Sequence, residues 1–189
     1  MRQYPSVKWA CTEVTYKMEQ DAGAAGDTSQ FNIVKAMTEM MSGGNWKNKP
    51  ENKMFMKLFR YISGVNKQQE EVEMTVPVLS RMKLLADSMV SKEMCFYINK
   101  KHQANPPTPL DAAVRIESNK EFTVYVHQFG GYAMKDAVNV REASKFAEVL
   151  GSAGEEVDSS TFYTAGYDSP MKFWNRRNEV MFLVPGNDI

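Results

Sequence analysis

Apolar and polar positions alternate loosely through Val7 to Met18, "VKWACTEVTYKM", and this period of two predicts a strand. Asp21 to Ser29 is rich in Gly, Ala, Asp and Ser and reads as a loop. The period then changes. In "SQFNIVKAMTEMMSGG", Ile33, Val34, Met37, Met40 and Met41 recur at helical spacing, Ser29 is placed to cap the start, and Gly43 and Gly44 stop it. A polar linker, "NWKNKPEN", leads to a stronger helix from Glu51 to Gly64. Met54, Leu58, Tyr61 and Ile62 form one apolar stripe on it, suited to a core. Phe55, Met56 and Phe59 form a second, offset stripe. A surface helix needs one apolar face, so the second implies burial between layers, the commoner case, or the lining of a cleft.

Strand patterns dominate the rest. They run through "EEVEMTVPVLSRM" (70–82) and "EMCFYINKK" (93–101), then past the Pro-rich turn "QANPPTPLD" to "AVRIES" (113–118) and "EFTVYVHQF" (121–129). "GGYA" breaks the pattern. Asp136 is placed to cap a helix through Leu150 that carries Ala143, Phe146, Ala147 and Leu150 on one face. A final hairpin follows, "FYTAGY" and "EVMFL", joined by "DSPMKFWNRR". The order strand, amphipathic helix ending at Gly, polar spacer and strand occurs twice, which suggests an internal duplication. Neighbouring strands with few helices argue an α+β fold with antiparallel sheet, and 189 residues suit a single domain over 1–189.

Charge narrows the partners. With 23 basic and 23 acidic side chains and no long block of either sign, neither a nucleic-acid surface nor a polybasic membrane patch is expected. No apolar run approaches the roughly 20 residues of a membrane-spanning helix, and "MRQYPSVKW" lacks the apolar stretch of a signal peptide. A cytoplasmic chain is therefore expected, unless a leader was removed. Cys11 and Cys95 lie in alternating stretches and read as two buried thiols, with a disulfide between them as the alternative. No zinc spacing, Cys-x-x-Cys-His, phosphate-binding loop or nucleophile elbow is present. The many Met residues read as core filler, His102 beside Lys100 and Lys101 as exposed, and His127 as a hydrogen-bonded strand residue rather than a ligand.

The connection "DSPMKFWNRR" remains odd, because it interleaves Met171, Phe173 and Trp174 with Lys172, Arg176 and Arg177. Here a resemblance helps. "RQYPSVKW", "YISGVN" followed by "EMTVPV", then "NPPTP", "FTVYVHQFGGYA", "FYTAGYDSPMK" and "RRNEVMFL" occur in the order of the SOUL/heme-binding protein family and span nearly the whole chain. The resemblance implies a distorted antiparallel β-barrel with two main helices and pseudo-twofold halves. It also implies non-covalent binding of heme or another tetrapyrrole, for buffering, transport or sensing; it does not imply an enzyme, and none is expected. The ligand would lie between the first main helix, at Phe55, Met56 and Phe59, and the last hairpin loop, at Met171, Lys172, Arg176 and Arg177. There apolar side chains would cover the macrocycle and cations would meet its propionates. The structural alternative is that Met171, Phe173 and Trp174 fold back on the barrel mouth.

Two departures stand out. Residues 24–50, with the Met-rich helix, are an extra insertion. Gln3 stands where some members carry a His, so no axial iron ligand is assigned, and His127 is the residue left to consider. Two rival functions are weighed. One is a protein-interaction module in stress or cell-death signalling, acting through "AVNVREASKFAEVL", whose plainer reading is core packing. The other is an enzyme using a Glu of "EEVEM" or "NRRNEV" near Tyr163 or Tyr167 as acid or base.

Overall fold

Strand alternation decides which side chains meet, and the pairing registers fix it along the sheet. The computed structural model describes residues 1–18, 49–133, 135–169 and 171–186. The helix expected over 29–44, and the insertion apart from Lys49 and Pro50, lie outside the described residues. The strands are β1 (Arg2–Tyr4), β2 (Lys8–Lys17), β3 (Val78–Leu84), β4 (Met89–Tyr97), β5 (Arg115–Ser118), β6 (Phe122–Phe129), β7 (Thr161–Gly166) and β8 (Asn178–Leu183). The helices are α1 (Pro50–Ile62) and α2 (Asp136–Ser152). One antiparallel sheet runs in the order β1-β6-β8-β7-β3-β4-β2-β5 and curls into a half-barrel. Exchanging β2-α1-β3-β4 with β6-α2-β7-β8 leaves this order unchanged, with β1 and β5 each paired to the other half.

Both helices cover one face. Pro50 opens α1, where its missing N–H costs nothing, and Met54, Leu58, Tyr61 and Ile62 pack with Ala10, Met94 and Phe96 of β2 and β4. Gly64, at φ 91°, turns the chain after the helix, a conformation that favours glycine. Under α2, Ala143 and Leu150 join Met82, Val90, Phe162, Val180 and Phe182. The apolar side of α2 is thereby occupied, and Val149 is its large exposed hydrophobic residue.

The opposite, inner face buries Phe122, Val124, Tyr163, Ala165 and Met181, and beside them Trp9, Cys11 and Cys95. Cys11 and Cys95 pair directly across β2 and β4 and form a disulfide, so the free-thiol reading is corrected. Two ends of the sheet meet at buried Asn119. Its Oδ1 accepts from Trp9 Nε1 at 2.8 Å, its Nδ2 donates to the Pro5 carbonyl at 2.8 Å, and its N–H donates to the Val7 carbonyl at 3.1 Å. The β1–β2 and β5–β6 connections are thus stitched together where the sheet curls round.

Three local expectations change. The strand expected over 70–82 is regular only from Val78, after Pro77, which has no N–H for a ladder. Asp136 does not cap α2. Lys135 holds that position and Asp136 is the first helical residue, its buried carboxylate taken by Lys92 Nζ at 2.6 Å and by the Tyr16 hydroxyl. His102 is buried, with Nδ1 2.8 Å from Asn99 Oδ1 and Nε2 3.2 Å from the Glu70 carboxylate but without hydrogen-bond geometry to it.

Candidate functional site

The second stripe of α1 is not buried. Met56 and Phe59 are each 40% exposed, and half-buried Phe55 stacks on Phe59 with ring centroids 5.9 Å apart. Phe55 also meets Phe96 of β4 edge-on at 5.3 Å. The burial reading for this stripe is therefore corrected. Helical spacing puts Phe55 and Phe59 on the flank of α1 that faces β3, while Lys57, Arg60 and Tyr61 on the other flank line a shallow groove with Val65, Pro109, Leu110, Asp111 and Val114.

Register places the hairpin loop relative to that flank. Ala10 pairs with Phe96, Phe96 with Val78 and Val78 with Gly166, forming one row across the helix-bearing face. The chain leaves β7 just after Gly166, so the loop begins at the level of the ring on which Phe55 rests. It lies two strands away, about 10 Å at the usual strand spacing. Gly166 adds no side chain to this row, and a Cβ built there would meet nothing within 4 Å. The floor between α1 and the loop is accordingly low.

The loop is held from within. Lys172 Nζ donates to Asp168 Oδ1 at 2.6 Å, and the Arg177 N–H donates to Asp168 Oδ2 at 2.6 Å. Arg176 donates to the carbonyls of Ser169, Lys172 and Asp168, and its guanidinium lies 4.5 Å over the Tyr132 ring. Arg177 pairs with Glu179 at 2.7 Å and covers the Tyr167 ring at 4.4 Å. Each loop cation named from the sequence thus has a partner at home. Met171, Phe173 and Trp174 are 51%, 40% and 74% exposed, so they do not fold back on the barrel.

Glu179 and Tyr167, raised as an acid–base pair, do meet at 2.9 Å. Burial pushes the Glu179 carboxyl up, but hydrogen bonds from Arg2, Arg177 and Tyr167 together outweigh it and bring it down to about 2. Burial first, and then Glu179, pushes Tyr167 up to about 12. A carboxylate and a phenol held this far from neutrality exchange protons poorly with a substrate. His127 stacks between Phe129 at 6.4 Å and Phe146 of α2 at 5.4 Å, away from α1. Cys11, Glu93 and Cys95 bring ligand atoms within 4.8 Å of one another, but the sulfurs are spent in the disulfide and Glu93 pairs with Arg81 and Arg115.

The low floor at Gly166 and the roles of Asp168 and Tyr132 were not read from the sequence. Only the register and the loop's fold bring them to these positions; the glycine was visible merely as part of "FYTAGY".

Known proteins share this fold. In fold, the chain is similar to EcmrR's C-terminal domain (TM-score 0.54, 10% identity, 96% of this chain and 93% of that one). It is likewise similar to SAV2435 bound to tetraphenylphosphonium (TM-score 0.51, 12% identity, 98% and 92%). At these identities the likeness is one of fold alone. No helix among the described residues is long and apolar enough to cross a membrane. In sequence, heme-binding protein 2 of Homo sapiens is 31% identical over 180 residues, 92% of this chain and 85% of that protein. Heme-binding protein 1 of Mus musculus is 38% identical over 129 residues, 67% of each. With the SOUL heme-binding protein profile matching residues 1–183 as well, the chain belongs to the SOUL heme-binding family.

Proposed function

We propose that the chain binds heme or a related tetrapyrrole non-covalently, as a binding protein rather than an enzyme, in the cleft between α1 and the β7–β8 loop. The observation that carries this reading is the apolar flank of α1 at Phe55 and Phe59, on the side of a sheet row that Gly166 leaves low. The macrocycle would lie over Phe55 and Phe59 with Met171 on its far side. Removing about 300 Å² of it from water favours binding by about 7 kcal/mol before association costs of several kcal/mol. Lys172, Arg176 and Arg177 would orient the propionates. Because Asp168 and Glu179 already hold two of these cations, they add little to affinity. Buffering, transport and sensing all need such reversible capture. The formed Cys11–Cys95 disulfide fits an oxidising compartment better than the cytoplasm expected from the N-terminus.

A hemin titration followed by absorbance tests the reading, with saturation at one equivalent expected. Since no described histidine faces this flank, iron-free protoporphyrin should bind within about tenfold of hemin. Absence of saturable binding would defeat the proposal, and a loss of several hundredfold without iron would reveal a ligand on the metal.

The floor can be tested separately. Gly166 has an ordinary backbone conformation, so Gly166→Val should leave stability within about 1 kcal/mol while weakening hemin at least about tenfold, through lost apolar contact. Unfolding and titration of the same preparation would check it. Unchanged affinity would move the macrocycle off this row.

A further inference from the structure

Phe173 and Trp174 belong neither to the core nor to the residues proposed to touch the macrocycle. Their rings sit 6.4 Å apart at the tip of the β7–β8 loop, 40% and 74% exposed. The loop behind them has turned its polar groups inward. The carbonyls of Asp168, Ser169 and Lys172 all accept from Arg176, the Tyr132 hydroxyl also donates to the Lys172 carbonyl, and both Asp168 carboxylate oxygens are taken by Lys172 and the Arg177 N–H. Those three carbonyls and that carboxylate lose little when water is withdrawn from the loop, while exposed Asn175 keeps its contact with water.

Those observations select a class of partner. A protein interface would surround its aromatic anchors with hydrogen-bonding groups. Among the described residues this tip exposes Met171, Phe173 and Trp174 with one polar side chain, Asn175, next to them in the chain. Trp is suited to the boundary between hydrocarbon and headgroups, where its ring is apolar and its N–H remains wet. At the loop's base Lys172, Arg176 and Arg177, with Arg2 sharing Glu179, stand against the carboxylates of Asp168 and Glu179, four cations to two anions, and the surplus positive charge suits phosphates. We propose that Phe173 and Trp174 form an interfacial anchor through which the chain docks reversibly on a phospholipid bilayer. The anchor requires neither a spanning helix nor a polybasic patch, and its two rings are not among the residues proposed to touch the macrocycle.

The experiment is flotation of the full chain with phosphatidylcholine vesicles, with and without phosphatidylserine, together with quenching of tryptophan emission by brominated acyl chains. The chain should float with both compositions, more strongly with phosphatidylserine, and its emission should be quenched. A Phe173→Ser, Trp174→Ser double variant should lose at least about tenfold in vesicle partitioning, as expected for a shallow apolar anchor. In the same variant hemin affinity without vesicles should stay within about twofold. Trp174→Phe keeps an apolar tip and should still float, while losing the quenching. Several results would overturn the anchor: a parent chain that stays at the bottom, a double variant that floats as well as the parent, or quenching retained in Trp174→Phe. Hemin affinity falling as far as vesicle binding would do the same, by assigning the tip to the tetrapyrrole contact. Capture of the tip by a protein with no partition into vesicles would also replace the lipid.

Discussion

Glu179→Gln should lower stability by about 3 kcal/mol near neutral pH and flatten the chain's response to acid. Glu179 is fully buried, and its carboxylate accepts from Arg2 Nη1 at 2.6 Å, Arg2 Nη2 at 2.9 Å, Arg177 Nη2 at 2.7 Å and the Tyr167 hydroxyl at 2.9 Å. An amide keeps the shape but not the charge, so Arg2 and Arg177 would face each other across an uncharged group. The pH dependence follows from the sign of the shift. The folded carboxyl titrates near 2, below its ordinary 4.5, so its stabilisation is fully present above about 4.5 and is lost as pH falls towards 2. Urea unfolding of parent and variant across that window is the check. Parallel acid limbs in the two proteins would mean that Glu179 is not the group that titrates. Among the described residues β1 pairs only with β6, so Arg2 also fastens the N-terminal strand to β8 through this carboxylate.

The second large effect separates neighbours in the sequence. Leu58 is fully buried among Ala10, Met54, Tyr61 and Phe96, and Leu58→Ala should cost about 2 to 5 kcal/mol. Phe59 is 40% exposed with its ring stacked on Phe55, so Phe59→Ala should cost about 1 kcal/mol of stability and weaken hemin about tenfold. Denaturant unfolding and hemin titration of both variants decide the matter. Equal losses of stability, with hemin unaffected by either, would reduce the outer stripe of α1 to packing.

How much of this was legible from residues alone depended on the range of the forces involved. The two stripes of α1 were separable because helical spacing is local, yet whether the outer one was covered depended on β3 and β7, distant in sequence. The strand over Val78–Leu84 was placed too long at its start, because "EEVEMT" alternates like a strand while Val72 N–H is taken by the Ile62 carbonyl beside α1. Asp136 had the composition of a cap, and a buried lysine on β4 claimed it instead. His102 looked exposed beside lysines, but its ring is buried with Nδ1 against Asn99 Oδ1. In the β7–β8 loop the mixture of cations and aromatics was evident. Which cations were already committed was not, since Asp168, Tyr132 and Glu179 reach them only through the folded hairpin.

Asn119 gives the curled sheet a property that no single strand has. A flat sheet of this order would end in two rows of unsatisfied amides and carbonyls, each a template on which another copy could add a strand. By joining the turn before β6 to the turn before β2, one buried side chain brings those ends towards each other and away from neighbouring molecules. Its contribution therefore extends beyond the free energy of a few hydrogen bonds to the edges: a seam fastened here leaves the two end strands less able to part and accept a strand from another copy.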